Sequence, residues 1–586
     1  MSGVGYRQLW AADPGGWRTA GAAWAGLTGP VERHAGELAG SAGRLRGDWS
    51  GAAAVAVDAR LAGLRGEVTS VAPALIEADQ VLSELAGQLV VAKARLAEAV
   101  ARADAAGLVV DRSGAVHVDP TRLRPTERAG TAGAGAAAAA GVTTAGAGVA
   151  ASAGVTAAGA GVAAAGRAAA AGAGAAAAEA AAGVAAALRG GLELADAADR
   201  LATDRLDELA RAAGTGWASP PPPGRPASGA TPALVRAWWS GLTPAQRRWL
   251  VGHEPALVGG LDGVPVAARD QANRLRLGAR RAELLAERRR LLAQVPPGPL
   301  ASLRLRAVAA RLAGLDALTE RLAGPGRPGG PAVGEPRAYL LGLDPAGEGR
   351  VVVALGDPDH ADRVLTYVPG MTAGLDDAPG ELGRAARVLE RCATLAPGER
   401  SAAVLWLDYD APDFLTEAAS AGQARDAGPA LHRFQEGLRA THEGPPARQT
   451  VLGHSYGSLV VGVAAREHGL AADALMFVGS PGVGAAHAAE LGVPAGEVWA
   501  SRAPDDVIRL ARPVDELGHR VLRGASPLAA VLAWPERNGH ELWFGHDPAD
   551  SGFGGRVFPS GRGGHSGYWE PGNPALDGMA RVVLGR

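Results

Sequence analysis

The spacing of apolar residues in the first 127 residues is that of amphipathic helices. Leucine and valine recur every three or four positions, as in Leu61, Leu64, Val68 and Val71 and again in Leu82, Leu85 and Leu89. Between two such stretches lies the segment Gly47-Asp48-Trp49-Ser50-Gly51. Glycine ends helices, and Asp or Ser caps the helix that follows. The pattern therefore predicts a helical hairpin in which Trp49 wedges between the helices or anchors their core.

Shorter patterns divide the rest of the N-terminal half. Residues 107–122 predict a small β-hairpin that turns at Arg112-Ser113-Gly114. An Ala- and Gly-rich tract and a charged helix fill residues 128–216. Alanine favours a helix whereas each glycine costs about 1 kcal/mol relative to it, so the tract is compatible with either a helix or a linker. The proline-rich segment 217–230 predicts an extended linker, and residues 231–335 predict a second helical segment.

Over residues 336–586, short β-rich runs alternate with helical ones. The predicted strands are Ala338–Leu343, Arg350–Leu355, Arg363–Val368, Ala402–Asp408, Gln449–Leu452, Ala474–Val478 and Val498–Ser501. The helices predicted between the later strands are Gly380–Leu395, Gly422–Thr441, Ser458–His468 and Ala485–Leu491. Such alternation indicates a mainly parallel sheet flanked by crossover helices. The predicted fold is thus an α/β domain preceded by an all-α N-terminal half.

Composition narrows the functional classes. The 586 residues include 58 Lys and Arg against 60 Asp and Glu, a net charge of −2, so no basic excess favours nucleic acid. The single cysteine, Cys392, excludes a disulfide within the chain and a cysteine-based metal site. The sequence contains no long, strongly apolar run that predicts an integral membrane segment, and its N-terminus lacks the apolar core of a Sec signal peptide. Without a Walker A loop, an H-E-x-x-H motif or a dinucleotide-binding context, neither a cofactor nor a metal is expected.

The segment Gly453-His454-Ser455-Tyr456-Gly457 is the strongest chemical motif. A β-rich run precedes it and a helical run follows it, which is the context that a nucleophile elbow requires. Ser455 is therefore the predicted nucleophile. The N–H of Tyr456 at the start of the helix is the first predicted oxyanion donor. The second is expected from Met371 or Thr372, in the Pro-Gly turn after the third predicted strand.

A serine nucleophile needs a base, and a carboxylate that orients the base. His565 lies on a Gly-rich loop before the last predicted helix and is the predicted base, with His546 as the alternative. The acid is expected where a strand ends in adjacent carboxylates and an apolar pair. Asp506 is the predicted acid, and Asp505 is the alternative.

Several of these segments together resemble an actinobacterial α/β-hydrolase family of largely unassigned function. They are Trp238-Trp239, Gly263-Val264-Pro265 with Arg269-Asp270 and Ala272-Asn273-Arg274, Val368-Pro369-Gly370, the Gly453–Gly457 elbow, Ala503-Pro504-Asp505-Asp506 and His565-Ser566-Gly567-Tyr568-Trp569. The resemblance covers residues 231–586. It implies an α/β-hydrolase fold and a Ser/Asp/His triad, and it implies no particular substrate. Val507 stands where the family more often has proline, so the choice between the two aspartates stays open.

Residues 6–105 resemble the WXG/ESX-like helical hairpins that type VII secretion exports. That resemblance rests on the helix, Trp-x-Gly turn and helix around Trp49, and it implies a helical partner protein. The Tyr-x-x-x-Asp/Glu signal that often follows the second helix in exported members is not found. The chain is therefore expected to be either cytoplasmic or exported by type VII secretion.

The predicted activity is that of an esterase- or lipase-like serine hydrolase, which cleaves a small-molecule or lipid ester through an acyl-enzyme intermediate. Two alternatives come from other classes: a type VII secretion-linked interaction protein or effector, and a catalytically inactive hydrolase scaffold. A set of tryptophans either lines an acyl pocket or packs in the core: Trp238, Trp239, Trp534, Trp543 and Trp569.

Overall fold

The structure is a computed structural model that describes residues 4–118, 157–214, 222, 224–293, 299–323, 335–344, 349–375, 377–412, 415–510 and 541–586. The chain divides into two compact units. The first comprises residues 1–14 and 85–203, and the second comprises residues 15–84 and 204–586.

Helices make up most of the described part of the N-terminal half. They are α1 (Tyr6–Ala11), α2 (Pro14–Gly26), α3 (Thr28–Asp48), α4 (Ala52–Ala105) and α5 (Ala157–Gly214). The described part of the Ala- and Gly-rich tract is helical and continues without a break into the charged helix, while residues 129–156 lie outside the described residues. In the first unit, a Cβ on Gly191 would lie 2.4 Å from Leu96 Cδ1, so glycine lets α4 and α5 approach closely there.

The two predicted turns of this half both form. Strands β1 (Leu108–Val110) and β2 (Val116–Val118) pair antiparallel, with Val109 opposite His117. Helix α3 ends at Asp48 and α4 begins at Ala52, so the helical chain breaks at the predicted segment around Trp49. However, the side chain of Trp49 is 44% exposed, so the prediction that it wedges between the helices or anchors their core is wrong.

In the second unit, five helices lead into the sheet. They are α6 (Pro232–Ser240), α7 (Pro244–His253), α8 (Pro255–Gly260), α9 (Val266–Leu292) and α10 (Pro299–Leu322). The strands that follow are β3 (Ala338–Asp344), β4 (Arg350–Leu355), β5 (Arg363–Val368), β6 (Ser401–Leu407), β7 (Arg448–His454), β8 (Ala474–Val478), β9 (Val498–Ser501), β10 (Glu541–Leu542), β11 (Gly545–His546) and β12 (Arg556–Val557). The helices between and after them are α11 (Ala378–Leu395), α12 (Leu415–Ala418), α13 (Gly422–Thr441), α14 (Tyr456–His468) and α15 (Pro574–Leu584).

The eight-stranded sheet has the order β12-β9-β8-β7-β5-β6-β4-β3. Strand β4 runs antiparallel to both of its neighbours, and the remaining pairs are parallel. Helices α11 and α15 pack against each other, as do α13 and α14. The near-continuous burial of the central strands is what a parallel sheet covered on both faces produces. This architecture confirms the predicted α/β-hydrolase fold after a helical N-terminal half.

One predicted helix differs. Residues Ala485–Leu491 form only a short 3₁₀ turn, Ala488–Leu491. The preceding residues are engaged otherwise, because Ala485 bridges to Gly545 and the N–H groups of Ala486 and His487 donate to the Glu490 carboxylate.

Helix α9 covers the edge strand β3 with polar side chains. The Leu340 N–H donates to Asp270 Oδ1 at 2.7 Å, and Arg269 Nε donates to the Leu341 carbonyl at 2.9 Å. Asn273 Nδ2 donates to the Leu340 carbonyl at 3.2 Å. An uncovered edge strand would present unpaired backbone groups. The Arg-Asp and Ala-Asn-Arg segments of the family resemblance therefore have a structural role at this edge.

Within the described residues, no helix is long and apolar enough to span a membrane.

Candidate active site

The serine turn has the backbone geometry of a nucleophile elbow. Ser455 lies between β7 and α14 with φ 53° and ψ −128°, in a sparsely populated region that costs roughly 1–3 kcal/mol. The turn is tightly packed. A Cβ on Gly457 would lie 2.3 Å from the Val368 carbonyl oxygen, and one on Gly453 would lie 2.6 Å from Ser458 Cα. Both glycines of the motif are therefore required by close backbone approach.

Two backbone amides near Ser455 are candidates for binding an oxyanion. Tyr456 is the first residue of α14, so its N–H has no acceptor within the helix. The loop after β5 passes directly beside the serine, because a Cβ on Gly370 would lie 3.1 Å from Ser455 Oγ. Met371 follows Gly370 in that loop.

Thr372, the other predicted donor of the loop, is not available. Its N–H donates to the Pro412 carbonyl at 2.8 Å, and its backbone takes the left-handed conformation with φ 61°. Because that amide is already bonded, the prediction that it faces the oxyanion is wrong. Of the two loop candidates, Met371 remains.

The structure brings His565 and Asp506 together. His565 Nδ1 lies 2.9 and 3.1 Å from the two carboxylate oxygens of Asp506. The carboxylate also accepts from the Tyr568 hydroxyl and, at 2.8 Å, from the Ile508 N–H. Burial opposes ionisation of Asp506, but these hydrogen bonds and the neighbouring His565 outweigh it and lower the pKa of the carboxyl. A carboxylate in this position orients the ring and fixes its tautomer.

The alternative acid and base lie elsewhere. The carboxylate of Asp505 accepts from the N–H groups of Gly563 and Gly564 at 3.2 Å, immediately before His565. It therefore anchors the loop and makes no bond to the ring. His546 bonds to Asp550 at 3.1 Å through Nε2. The structure thus pairs the predicted acid with the predicted base, whereas the alternatives Asp505 and His546 bond to other groups.

The acid–base pair lies beside the elbow. The Ser455 N–H donates to the Val478 carbonyl at 3.0 Å. The next residue, Gly479, lies close to the pair, because its Cβ would lie 3.0 Å from Asp506 Oδ2 and 3.2 Å from the His565 ring. Among the described residues, no hydrogen bond joins Ser455 Oγ to the ring of His565. Catalytic hydrogen bonds of unliganded sites often form only when substrate binds.

His454, the residue before the nucleophile, contacts the base directly. Its Nε2–H donates to the His565 backbone carbonyl at 3.0 Å, and the two rings lie 4.9 Å apart. Burial, together with the nearby His565 and Arg384, lowers the pKa of His454 to about 3, so its ring stays neutral near pH 7. Sequence reasoning gave this histidine no role, although it stands inside the nucleophile motif.

The tryptophans divide between core and surface. Trp239 and Trp569 are buried, and Trp569 packs edge-on against His454 with ring centroids 4.9 Å apart. Trp238 and Trp543 are half-buried, and Trp534 lies outside the described residues. Packing rather than pocket lining thus accounts for the two buried rings.

One group of side chains within the described residues has the spacing of metal ligands. Its members, Glu84, Asp357 and His360, hold ligand atoms within 4.8 Å of one another. Burial opposes a charged ring, but hydrogen bonds to Asp357 and Glu443 outweigh it and raise the pKa of His360 to about 11. The imidazolium and Arg205, which lies 2.9 Å from Glu84, therefore already supply positive charge. Asp357 lies at the end of the sheet opposite to Ser455. It follows β4, whose last residue, Leu355, pairs with Ala403 near the start of β6, whereas Ser455 follows the last residue of β7.

Comparison with known proteins agrees with this fold. A family described as alpha/beta hydrolase matches residues 344–515. The uncharacterized protein Rv2079 of Mycobacterium tuberculosis is 33% identical over 388 residues, which cover 62% of this chain and 56% of that protein. The uncharacterized protein Mb0988c of Mycobacterium bovis is 33% identical over 219 residues, which cover 36% of this chain and 77% of that protein. The chain belongs to this alpha/beta-hydrolase family.

The matches cover the compared proteins unequally. The alignment with Rv2079 is the longer of the two, and in it the chain spans only about half of that protein's length. Among solved structures, the crystal structure of esterase PE8 aligns with a TM-score of 0.24 and 15% identity over 39% of this chain and 93% of that one. A likeness at that level carries no inference about activity.

Proposed function

We propose that the chain is a serine hydrolase that cleaves a carboxylic ester, with Ser455 as nucleophile, His565 as base and Asp506 as acid. The observation that carries the proposal is the bond between His565 Nδ1 and the buried Asp506 carboxylate, beside the strained turn of Ser455. Perturbed titratable groups packed around a strained turn of this kind are typical of catalytic sites.

The chemistry follows from the tautomer. Because Asp506 accepts the Nδ1–H of His565, the lone pair of that ring is on Nε2. Oγ of Ser455 attacks the ester carbonyl carbon while Nε2 takes the hydroxyl proton. The N–H groups of Tyr456 and Met371 bind the oxyanion. When the tetrahedral intermediate collapses, the alcohol leaves with the proton from His565.

Hydrolysis of the acyl-enzyme completes the cycle. Water enters as the alcohol departs, and Nε2 of His565 takes a proton from it as it attacks the acyl carbonyl. The second oxyanion occupies the same two amides. Its collapse releases the carboxylic acid and returns the proton to Ser455. This second half requires the same hydrogen bond from His565 to Asp506, now to stabilise the imidazolium.

Hydrolysis of p-nitrophenyl esters of rising acyl length tests the proposal and separates small from lipid esters. We expect turnover by the wild type and loss of about 10³-fold or more of kcat in Ser455→Ala and in His565→Ala. A well-folded wild type that hydrolyses no ester would refute the proposal and favour an inactive scaffold. Activity that survives in Ser455→Ala would refute the assignment of the nucleophile.

A second candidate function concerns the helical segment. Trp17 and Trp24 lie seven residues apart on α2 and are 44% and 49% exposed, and Trp49 between α3 and α4 is 44% exposed. Large exposed aromatic side chains of this kind are enriched at protein–protein interfaces. The corresponding proposal is a type VII secretion-linked helical partner, which would bind the face of α2 that carries Trp17 and Trp24.

Co-expression with a small helical protein, if one is encoded by a neighbouring gene, tests the second candidate. Size-exclusion chromatography with light scattering is expected to show a complex that Trp24→Ala weakens. Elution of the chain without that protein would contradict it.

A further inference from the structure

The segment after β6 contacts the loop beside Ser455 at two points. The hydroxyl of Tyr409 donates to the Pro369 carbonyl at 2.6 Å and lies 3.3 Å from the Gly370 carbonyl. Three residues further on, the Pro412 carbonyl accepts the N–H of Thr372. Met371 is thus flanked on both sides by peptide groups that this segment holds.

The bond from Tyr409 fixes the direction of the next peptide. In a planar trans peptide the carbonyl and the N–H point to opposite sides. Because the Gly370 carbonyl is turned toward Tyr409, the Met371 N–H is turned away from Tyr409. The nucleophile lies on the other side of the loop, since a Cβ on Gly370 would lie 3.1 Å from Ser455 Oγ.

We propose that Tyr409 is a positioning residue for the oxyanion hole, which orients the Met371 N–H toward Ser455 by holding the carbonyls of Pro369 and Gly370. This inference rests on the proposed serine hydrolase function. Tyr409 touches no reacting atom and acts through the backbone of the loop.

The surroundings of Tyr409 suit this role. Its side chain is only 4% exposed, and its ring stacks on Trp406 with an interplanar angle of 9°, so the hydroxyl has little freedom to turn away. Burial raises the pKa of Tyr409 well above its usual value, so the hydroxyl is protonated and able to donate near neutral pH. On its other side, the Pro369 carbonyl meets Gly457 of the elbow, where a Cβ would lie 2.5 Å away.

Tyr409→Phe removes the hydroxyl and keeps the ring. Tyr367→Phe is the matched control, because Tyr367 is an equally buried phenol on β5 whose hydroxyl donates to Glu381 instead of the loop. We expect kcat of Tyr409→Phe to fall about 10- to 100-fold while KM changes by less than about twofold, since an oxyanion amide acts in the transition state. The control is expected to keep the wild-type kcat. Equal kcat values for Tyr409→Phe and wild type would overturn the proposal.

A crystal structure of Tyr409→Phe tests the same point without turnover. A Gly370–Met371 peptide that has rotated away from Ser455 supports the positioning role, and an unchanged peptide overturns it. This measurement stays decisive if the wild type hydrolyses no ester, an outcome that would refute the proposed function instead.

Discussion

Replacement of Gly370 by alanine tests whether the loop after β5 must lie as close to Ser455 as it does here. A Cβ at this position would lie 2.6 Å from Ser455 Cβ and 3.1 Å from both Ser455 Oγ and the His454 carbonyl oxygen. Carbon atoms in ordinary contact are separated by about 3.5–4.0 Å. The loop or the elbow must therefore retreat by about 1 Å. Gly370 does not adopt a positive φ, so the backbone itself accepts alanine.

The expected effect on catalysis exceeds the effect on folding. A misplacement of about 1 Å costs about 100-fold in rate, because the Met371 N–H no longer meets the developing oxyanion. Overpacking of this size costs about 1–3 kcal/mol of stability. We therefore expect Gly370→Ala to lose about two orders of magnitude in kcat for ester hydrolysis while it still unfolds cooperatively, as followed by circular dichroism.

Gly383→Ala is the matched control. Gly383 lies on the exposed side of α11, where a Cβ would meet no atom within 4 Å. Alanine is favoured over glycine inside a helix by about 0.5–1 kcal/mol, so this variant is expected to be slightly more stable and fully active. Wild-type kcat in Gly370→Ala would refute the claim that the loop supplies an oxyanion donor at this distance.

Three further predictions concern the acid, the buried histidine and the sheet edge. Asp506→Asn is expected to lower kcat by about 10²- to 10⁴-fold because the imidazolium loses its charged partner. Asp505→Asn keeps an acceptor for the loop amides and is expected to lower kcat less. Equal losses of kcat in steady-state assays would contradict the assignment of the acid. A neutral His454, with a pKa of about 3 against about 6.5 when unfolded, stabilises the fold fully above pH 6.5, and this stability falls as the pH drops toward 3. The wild type is therefore expected to lose about 2 kcal/mol of unfolding free energy between pH 8 and pH 5 that His454→Gln does not lose. Thermal melts at several pH values measure this difference, and a Tm that falls equally with pH in both proteins would contradict the prediction. Arg337→Met leaves the buried carboxylate of Asp79 without its cation, whereas Asp270 keeps Arg274 at 2.7 Å, and the variant is expected to destabilise the fold by about 3–5 kcal/mol, measured as a lower Tm.

Local patterns predicted the elements that carry the site. Strand β7, the start of α14 and the glycines at 453 and 457 follow from spacing alone, because the elbow is built by consecutive residues. The pairing of His565 with Asp506 rather than Asp505 was open in the sequence, since adjacent carboxylates differ only in the direction that the folded turn gives them.

Contacts between distant segments were beyond the reach of local patterns. The hydroxyl of Tyr409 acts on a carbonyl 40 residues earlier, and His454 bonds to a carbonyl 111 residues later. For the same reason the sequence does not separate Thr372 from Met371 as a donor, because the Pro412 carbonyl that accepts the Thr372 N–H lies 40 residues further along the chain. Trp49 was expected inside a hairpin, but whether a turn residue is covered depends on packing that its neighbours in sequence do not determine.

The most direct test of the central claim is covalent labelling of the purified chain with a fluorophosphonate, followed by intact mass measurement and peptide mapping. If Ser455 is the nucleophile and His565 its base, the wild type carries a single adduct on Ser455, Ser455→Ala carries none, and labelling of His565→Ala is slowed by orders of magnitude. A folded wild type that remains unlabelled, or an adduct on a residue other than Ser455, would contradict this assignment.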